Sequence, residues 1–110
     1  MSKSKAPGHL QPATKRWFNR VTAVWTLEEH HVKLLIIAAE TWDRLTQARE
    51  VLADKGLTFE DRFGSPRARP EVAIERDSRT TFMRVIRELD LDIPEPTQPT
   101  RPRALRSNRG

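Results

Sequence analysis

The stretch of sequence that decides the fold is residues 27–56, LEEHHVKLLIIAAETWDRLTQAREVLADKG. Its apolar residues recur every three or four positions, which is the spacing of one face of an α-helix. At about 1.5 Å per residue, such a helix is on the order of 40 Å long. A helix of that length exceeds what one short partner helix can cover. Its apolar seam is therefore a predicted surface for self-association, formed by Leu35, Trp42, Leu45 and Leu52.

Local signals mark both ends of this predicted helix. Thr26 and Glu29 have the spacing of a capping box, in which each side chain accepts a hydrogen bond from the backbone N–H of the other residue. Gly56 supplies the positive φ at which helices commonly end. The helix is therefore predicted to run from about Leu27 to Lys55.

The flanking sequence predicts two more helices and a hairpin. Pro12 suits the first turn of a helix that runs to about Trp25, and Pro70 suits the first turn of one that runs to about Leu89. Residues 57–69 combine alternating apolar and polar side chains with a Gly-Ser-Pro turn, which indicates a small β-hairpin. The predicted fold class is mainly α, with three helices, one of them long, a hairpin between the second and third, and disordered basic tails.

One domain between two tails is the predicted organisation of the chain, since 110 residues leave room for no more. Residues 1–10 form a predicted disordered basic arm, residues 11–92 the helical domain, and residues 93–110 a tail too rich in proline and arginine to pack. The absence of cysteine fits a reducing cytoplasm. We expect neither a secretory signal nor a membrane span, because no apolar run is long enough for either.

Charge is distributed unevenly along the chain, which has a net charge of +5. The first twenty residues carry five basic residues and no acid, the middle is mildly acidic, and the last ten residues carry four arginines. Basic ends on a near-neutral scaffold are typical of nucleic-acid binding, although solubility alone would also account for them. The candidate DNA-binding residues are Lys15, Arg16, Arg20, Arg101, Arg103, Arg106 and Arg109.

Motifs for catalysis and metal binding are not found in the sequence. None of the four glycines opens a phosphate-binding loop of the Walker type, and no His-Glu-x-x-His motif occurs. The adjacent residues His30 and His31 should point about 100° apart on a helix, which disfavours their chelating one metal. Asp90 and Asp92 fit a solvated helix end better than a nuclease centre. We therefore expect no enzymatic activity, no cofactor and no metal.

Two further sets of residues have competing interpretations. The tryptophans could stack on bases, but their helical spacing favours a place in the core: Trp17, Trp25 and Trp42. The hairpin arginines could reach phosphates or could simply be solvated: Arg62, Arg67 and Arg69.

The order of these elements carries a family resemblance. The segments that carry it are Leu10 with Trp17, residues 35–39, VLADKGLT at 51–58, DRFGSP at 61–66, RPEVAIERD at 69–77, RELDL at 87–91, and RSNRG at 106–110. In this order and spacing they resemble the terminase small subunits of tailed phages. The chain departs from the family pattern at Arg69, where histidine is expected, and at Gln11, which is a poor helix cap.

The resemblance implies a non-catalytic regulator of DNA packaging. Such a subunit assembles into a ring, binds double-stranded viral DNA, and presents it to a terminase large subunit that holds the ATPase and nuclease. It would act in the cytoplasm of a bacterial host. Two alternatives remain open: a DNA-binding transcriptional regulator, which would need a recognition helix after a short turn, and a structural adaptor that binds only protein.

Overall fold

The computed structural model describes residues 5–91 of the chain. The helices are α1 (Pro12–Val24), α2 (Glu29–Lys55) and α3 (Pro70–Leu89), and the strands are β1 (Thr58–Glu60) and β2 (Pro66–Ala68). The strands pair antiparallel, with Phe59 opposite Arg67, and form a hairpin between α2 and α3. The predicted mainly α fold, with three helices and a hairpin between the second and third, is confirmed. The tail predicted at residues 93–110, including Arg101, Arg103, Arg106 and Arg109, lies outside the described residues.

The packing of α2 against α3 forms the frame of the domain. Two contacts mark it, which join Arg49 to Glu75 and Trp42 to Phe82, and further along the pair Leu35 and Leu89 belong to one buried cluster. Each step of seven residues towards the start of α2 is matched by seven residues towards the end of α3. The two helices therefore run antiparallel and stay in register over most of their length. Within residues 5–91, no helix is both long and apolar enough to cross a membrane.

The main core lies at the end of this helix pair that is remote from the hairpin. Its buried members are Leu10, Phe18, Val21, Leu35, Ala39 and Leu89, drawn from all three helices and the segment before α1. Leu10 is buried and Ala6 packs against the core, so the prediction of a disordered arm through residue 10 is wrong for its last residues. Trp17 and Trp25 also pack against this core, which confirms the predicted place of both rings.

The start of α2 differs from the prediction. The helix begins at Glu29 rather than Leu27, its N-cap is Glu28, and no side chain caps it, so the predicted capping box is wrong. The physical reason is packing: Trp25 and Leu27 lie against the core, and this holds residues 25–28 in a non-helical path between α1 and α2. Burial of the two apolar side chains prevails over a cap worth about 1 kcal/mol.

The other end of α2 follows its local signal. Gly56 is the C-cap, with φ of 87°, and its N–H donates to the carbonyl of Leu52. In α3, Glu75 and Arg79 are four positions apart, the spacing that favours an ion pair on a helix, and they pair at 3.2 Å. Glu75 also accepts from Arg49 of α2, so one carboxylate links the two long helices. The Arg79 and Arg49 guanidinium groups hold the pKa of Glu75 below its usual value of 4.5.

Candidate nucleic-acid interface

Helix α1 presents a basic face to solvent. Its inner side is buried through Thr14, Phe18, Val21 and Thr22. On the outer side, Arg16 and Arg20 are exposed one turn apart, and Lys15 is half-buried on the flank. Helix α1 contains no acidic residue, and within residues 5–91 none of these three cations is in an ion pair. Three of the predicted DNA-binding residues therefore lie together on one helix with their charges uncompensated.

Asp43 of α2 fixes the start of this basic helix. Gln11 is the N-cap of α1 but makes no side-chain cap. Instead, its backbone N–H donates to Oδ2 of Asp43 at 2.8 Å, and the hydroxyl of Thr14 donates to Oδ1 at 2.5 Å. Asp43 is only 8% exposed, and its carboxylate lies where the dipole of α1 is positive. Asp43 of α2 thus provides the cap that Gln11 does not. The sequence did not indicate this cap, because Asp43 is 29 positions from Thr14 and 32 from Gln11.

Replacing Asp43 with alanine is expected to lower the free energy of unfolding by about 1–3 kcal/mol, because two donors lose their buried acceptor. Denaturant unfolding followed by circular dichroism measures the change. Asp54→Ala is the matched control, since Asp54 is exposed near the end of the same helix and should change stability by less than about 0.5 kcal/mol. Equal stabilities of the two variants would contradict a capping role for Asp43.

The hairpin arginines are mostly engaged in holding the hairpin together. Arg69 donates to the backbone carbonyls of Lys55, Gly56 and Thr58, at 3.1–3.3 Å, and so closes the C-terminus of α2. Arg67 pairs with Asp61 at 2.9 Å. Arg62 is exposed and lies over the ring of Phe63. The structure therefore favours structural roles for two of the three arginines over contact with phosphates.

Asp61 organises the turn of the hairpin. Its carboxylate accepts from the backbone N–H groups of Ser65 and Phe63, at 2.9 and 2.8 Å, and from the guanidinium of Arg67. The Ser65 N–H contributes most, followed by Arg67, and together these donors hold the pKa of Asp61 below its usual value of 3.8. The charged form is thus favoured in the folded hairpin.

Acid is expected to loosen this turn. Because the folded pKa of Asp61 is depressed, its stabilising contribution is fully present above pH 3.8 and is lost as the pH falls through the lower folded value. In an NMR titration, the amide signals of Ser65 and Phe63 should shift with a midpoint below 3.8, and Asp61→Asn should abolish that transition. A midpoint above 3.8 would show that the donors do not favour the charged carboxylate.

The predicted self-association seam is largely covered within the protomer. Leu35 and Leu45 are fully buried, so the prediction of an uncovered seam is wrong for them. Helix α3 runs along α2 for most of its length and α1 covers part of the rest, which is more cover than the sequence pattern suggested. Trp42 is 39% exposed with its ring 5.0 Å from that of Phe82, and Leu52 is half-buried. Only these two residues of the seam reach the surface.

One group of side chains could ligate a metal. Glu28, His30 and His31 place a ligand atom each within 4.8 Å of the other two. The imidazole rings of the two histidines lie with centroids 4.1 Å apart, so the expectation that they diverge is wrong. Both residues are helical, so the rings approach each other through the rotation of their side chains and not through a change in the backbone. The two aspartates near the end of α3 were the other possible metal ligands. Asp90 is the C-cap of α3, with φ of 52°, and Asp92 lies outside the described residues.

Comparison of the chain with protein-family models, with curated proteins and with solved structures finds no match.

Proposed function

We propose that this protein is a non-catalytic DNA-packaging subunit of the terminase small subunit type. It binds double-stranded viral DNA and presents it to a large subunit with ATPase and nuclease activity, in the cytoplasm of a bacterial host. The observation that carries the proposal is the outer face of α1, where Lys15, Arg16 and Arg20 have no acidic partner within residues 5–91. The order of sequence motifs provides the second line of support.

Helix α1 would act mainly by positioning the protein on the duplex. Arginine and lysine contacts to phosphates fix orientation but carry no sequence information. Sequence preference needs a side chain that reads base edges, and Asn19 is an exposed amide located between Arg16 and Arg20 on this helix. Contact by one short helix is weak, and assembly of the subunit into a ring would multiply it through avidity.

The alternative function is that of a DNA-binding transcriptional regulator. The connection between α1 and α2 bears on this alternative. Residues 25–28 join these helices as a short turn, as a helix-turn-helix requires. The first turn of α2 would then enter the major groove. Glu28 caps this turn and Glu29 begins it, and both carboxylates would repel phosphates. The hairpin separates the other helix pair, α2 and α3, so neither junction favours this alternative.

The experiment that tests the proposal is duplex DNA binding by the full chain across a salt series. Each phosphate contact releases counterions, so the logarithm of affinity should fall linearly with the logarithm of salt, with a slope of about −0.9 per contact. Deleting residues 100–110 should flatten this slope while leaving the helical content unchanged. A protein-only adaptor would show no DNA binding even at low salt, and that result would overturn the proposal.

A further inference from the structure

Three potential metal ligands meet where the connection from α1 enters α2. Glu28 is the last residue before the helix, and His30 and His31 lie in its first turn. The Nδ1 atom of His30 lies 3.8 Å from Oε1 of Glu28, and a ligand atom of His31 lies within 4.8 Å of both side chains. Imidazole nitrogen and carboxylate oxygen are both common zinc ligands.

The distances fit a metal ion with only small side-chain movements. For three atoms at most 4.8 Å apart, there is always a point that lies no more than about 2.8 Å from each of them. Zinc binds imidazole nitrogen and carboxylate oxygen at about 2.0–2.2 Å, so each ligand atom needs to move by less than about 1 Å. Glu28 and His30 are exposed and His31 is half-buried, so rotation about their side-chain bonds can supply that movement.

We propose that Glu28, His30 and His31 form a binding site for a divalent transition-metal ion of the zinc class. Two imidazoles and one carboxylate leave a fourth position open for water or an outside ligand. The positive end of the α2 dipole opposes a cation here. The carboxylates of Glu28 and Glu29 offset that field, although Glu29 also pairs with Lys33 at 3.6 Å. Affinity is therefore moderate rather than that of a closed structural zinc site.

Metal binding would act on the connection between two helices. Glu28 belongs to the non-helical segment 25–28, whereas the histidines belong to α2. One ion held by all three side chains would fix the end of this segment to the first turn of α2. Because residues 25–28 connect α1 to α2, they set the angle between these helices. A bound ion would therefore restrict the orientation of the basic helix α1. The metal site does not depend on the proposed DNA binding, and it can be tested in the absence of DNA.

The test is a titration of zinc chloride into the full chain carrying no affinity tag. Calorimetry should give one ion per chain, and 15N NMR should show the largest shifts at residues 28–31. His30→Gln and His31→Gln should each weaken zinc binding about tenfold or more. Loss of a residue that only hydrogen-bonds to a metal ligand already costs about tenfold, and loss of a ligand itself should cost at least as much. His9→Gln is the matched control, because His9 is the third histidine and pairs with another carboxylate, that of Glu40, at 2.8 Å.

Circular dichroism of each variant separates loss of the site from loss of the fold. All three substituted histidines lie outside the group of buried core residues, so the variants should keep the wild-type melting temperature in the absence of zinc. The proposal is overturned if the wild-type chain binds no zinc at millimolar concentration. It is equally overturned if His30→Gln and His31→Gln both bind as the wild type does, or if His9→Gln is the change that removes binding.

Discussion

Neutralising Arg16 and Arg20 together by Arg16→Gln and Arg20→Gln is expected to weaken duplex DNA binding about 60-fold at 0.1 M salt. Each lost phosphate contact removes a factor of about eight at that concentration, and the slope of log affinity against log salt should become shallower by about 1.8. Both side chains are exposed on the side of α1 opposite the core, so the double variant should remain folded. Fluorescence anisotropy with a labelled duplex measures both quantities.

The matched control removes two positive charges from the opposite end of the α2 and α3 pair. Arg62 in the hairpin and Arg76 early in α3 are both exposed, so Arg62→Gln with Arg76→Gln changes the net charge equally. This control is expected to lose only a little affinity for duplex DNA, and to the same extent for every DNA sequence. If the control loses more affinity than the α1 variant, the hairpin end is the DNA surface and the assignment to α1 is wrong.

Replacing Leu45 with glutamate is expected to unfold the domain rather than dissolve an assembly of folded subunits. Leu45 is 1% exposed within the protomer, so the change removes a buried apolar side chain and places a carboxylate where water cannot reach it. The combined cost is about 4 kcal/mol or more, which is a large part of the stability of a typical small domain. Far-UV circular dichroism should show lost helicity at room temperature.

Gln47→Glu is the control for this change, since Gln47 is exposed two residues further along α2 and should alter stability by less than about 0.5 kcal/mol. Size-exclusion chromatography of the same samples distinguishes the two roles for Leu45. A Leu45→Glu chain that keeps its helicity and elutes as a smaller species would show that Leu45 faces another subunit, contrary to its burial within the protomer.

Features set by neighbours in sequence could be predicted here. Gly56 ends α2, Pro70 begins α3, and Glu75 pairs with Arg79, because each depends on residues within one helical turn. The basic character of α1 was equally predictable, since its sequence contains no acid. The capping box at Thr26 failed although it is also local, because the burial of nearby apolar side chains sets the path of the chain there.

Features set by distant residues could not be predicted. The cap that Asp43 provides for α1 and the closure of α2 by Arg69 join residues that are 11 to 32 positions apart, and no spacing rule relates them. Periodicity could place Leu35 and Leu45 on one helical face. It could not distinguish a face covered by the protomer's own helices from one covered by another subunit, because both require the same apolar side chains.

The unequal attachment of the three helices has a consequence for hydrogen exchange. Helix α3 approaches α2 along most of its length, whereas α1 approaches α2 at fewer residues. Local opening takes least free energy where buried contacts are few. We therefore expect the amides of α1 to exchange faster than those at the centre of α2, through detachment of α1 from an intact antiparallel pair. For the proposed binding to DNA, this means that the helix with the uncompensated cations could adjust its angle to a rigid duplex.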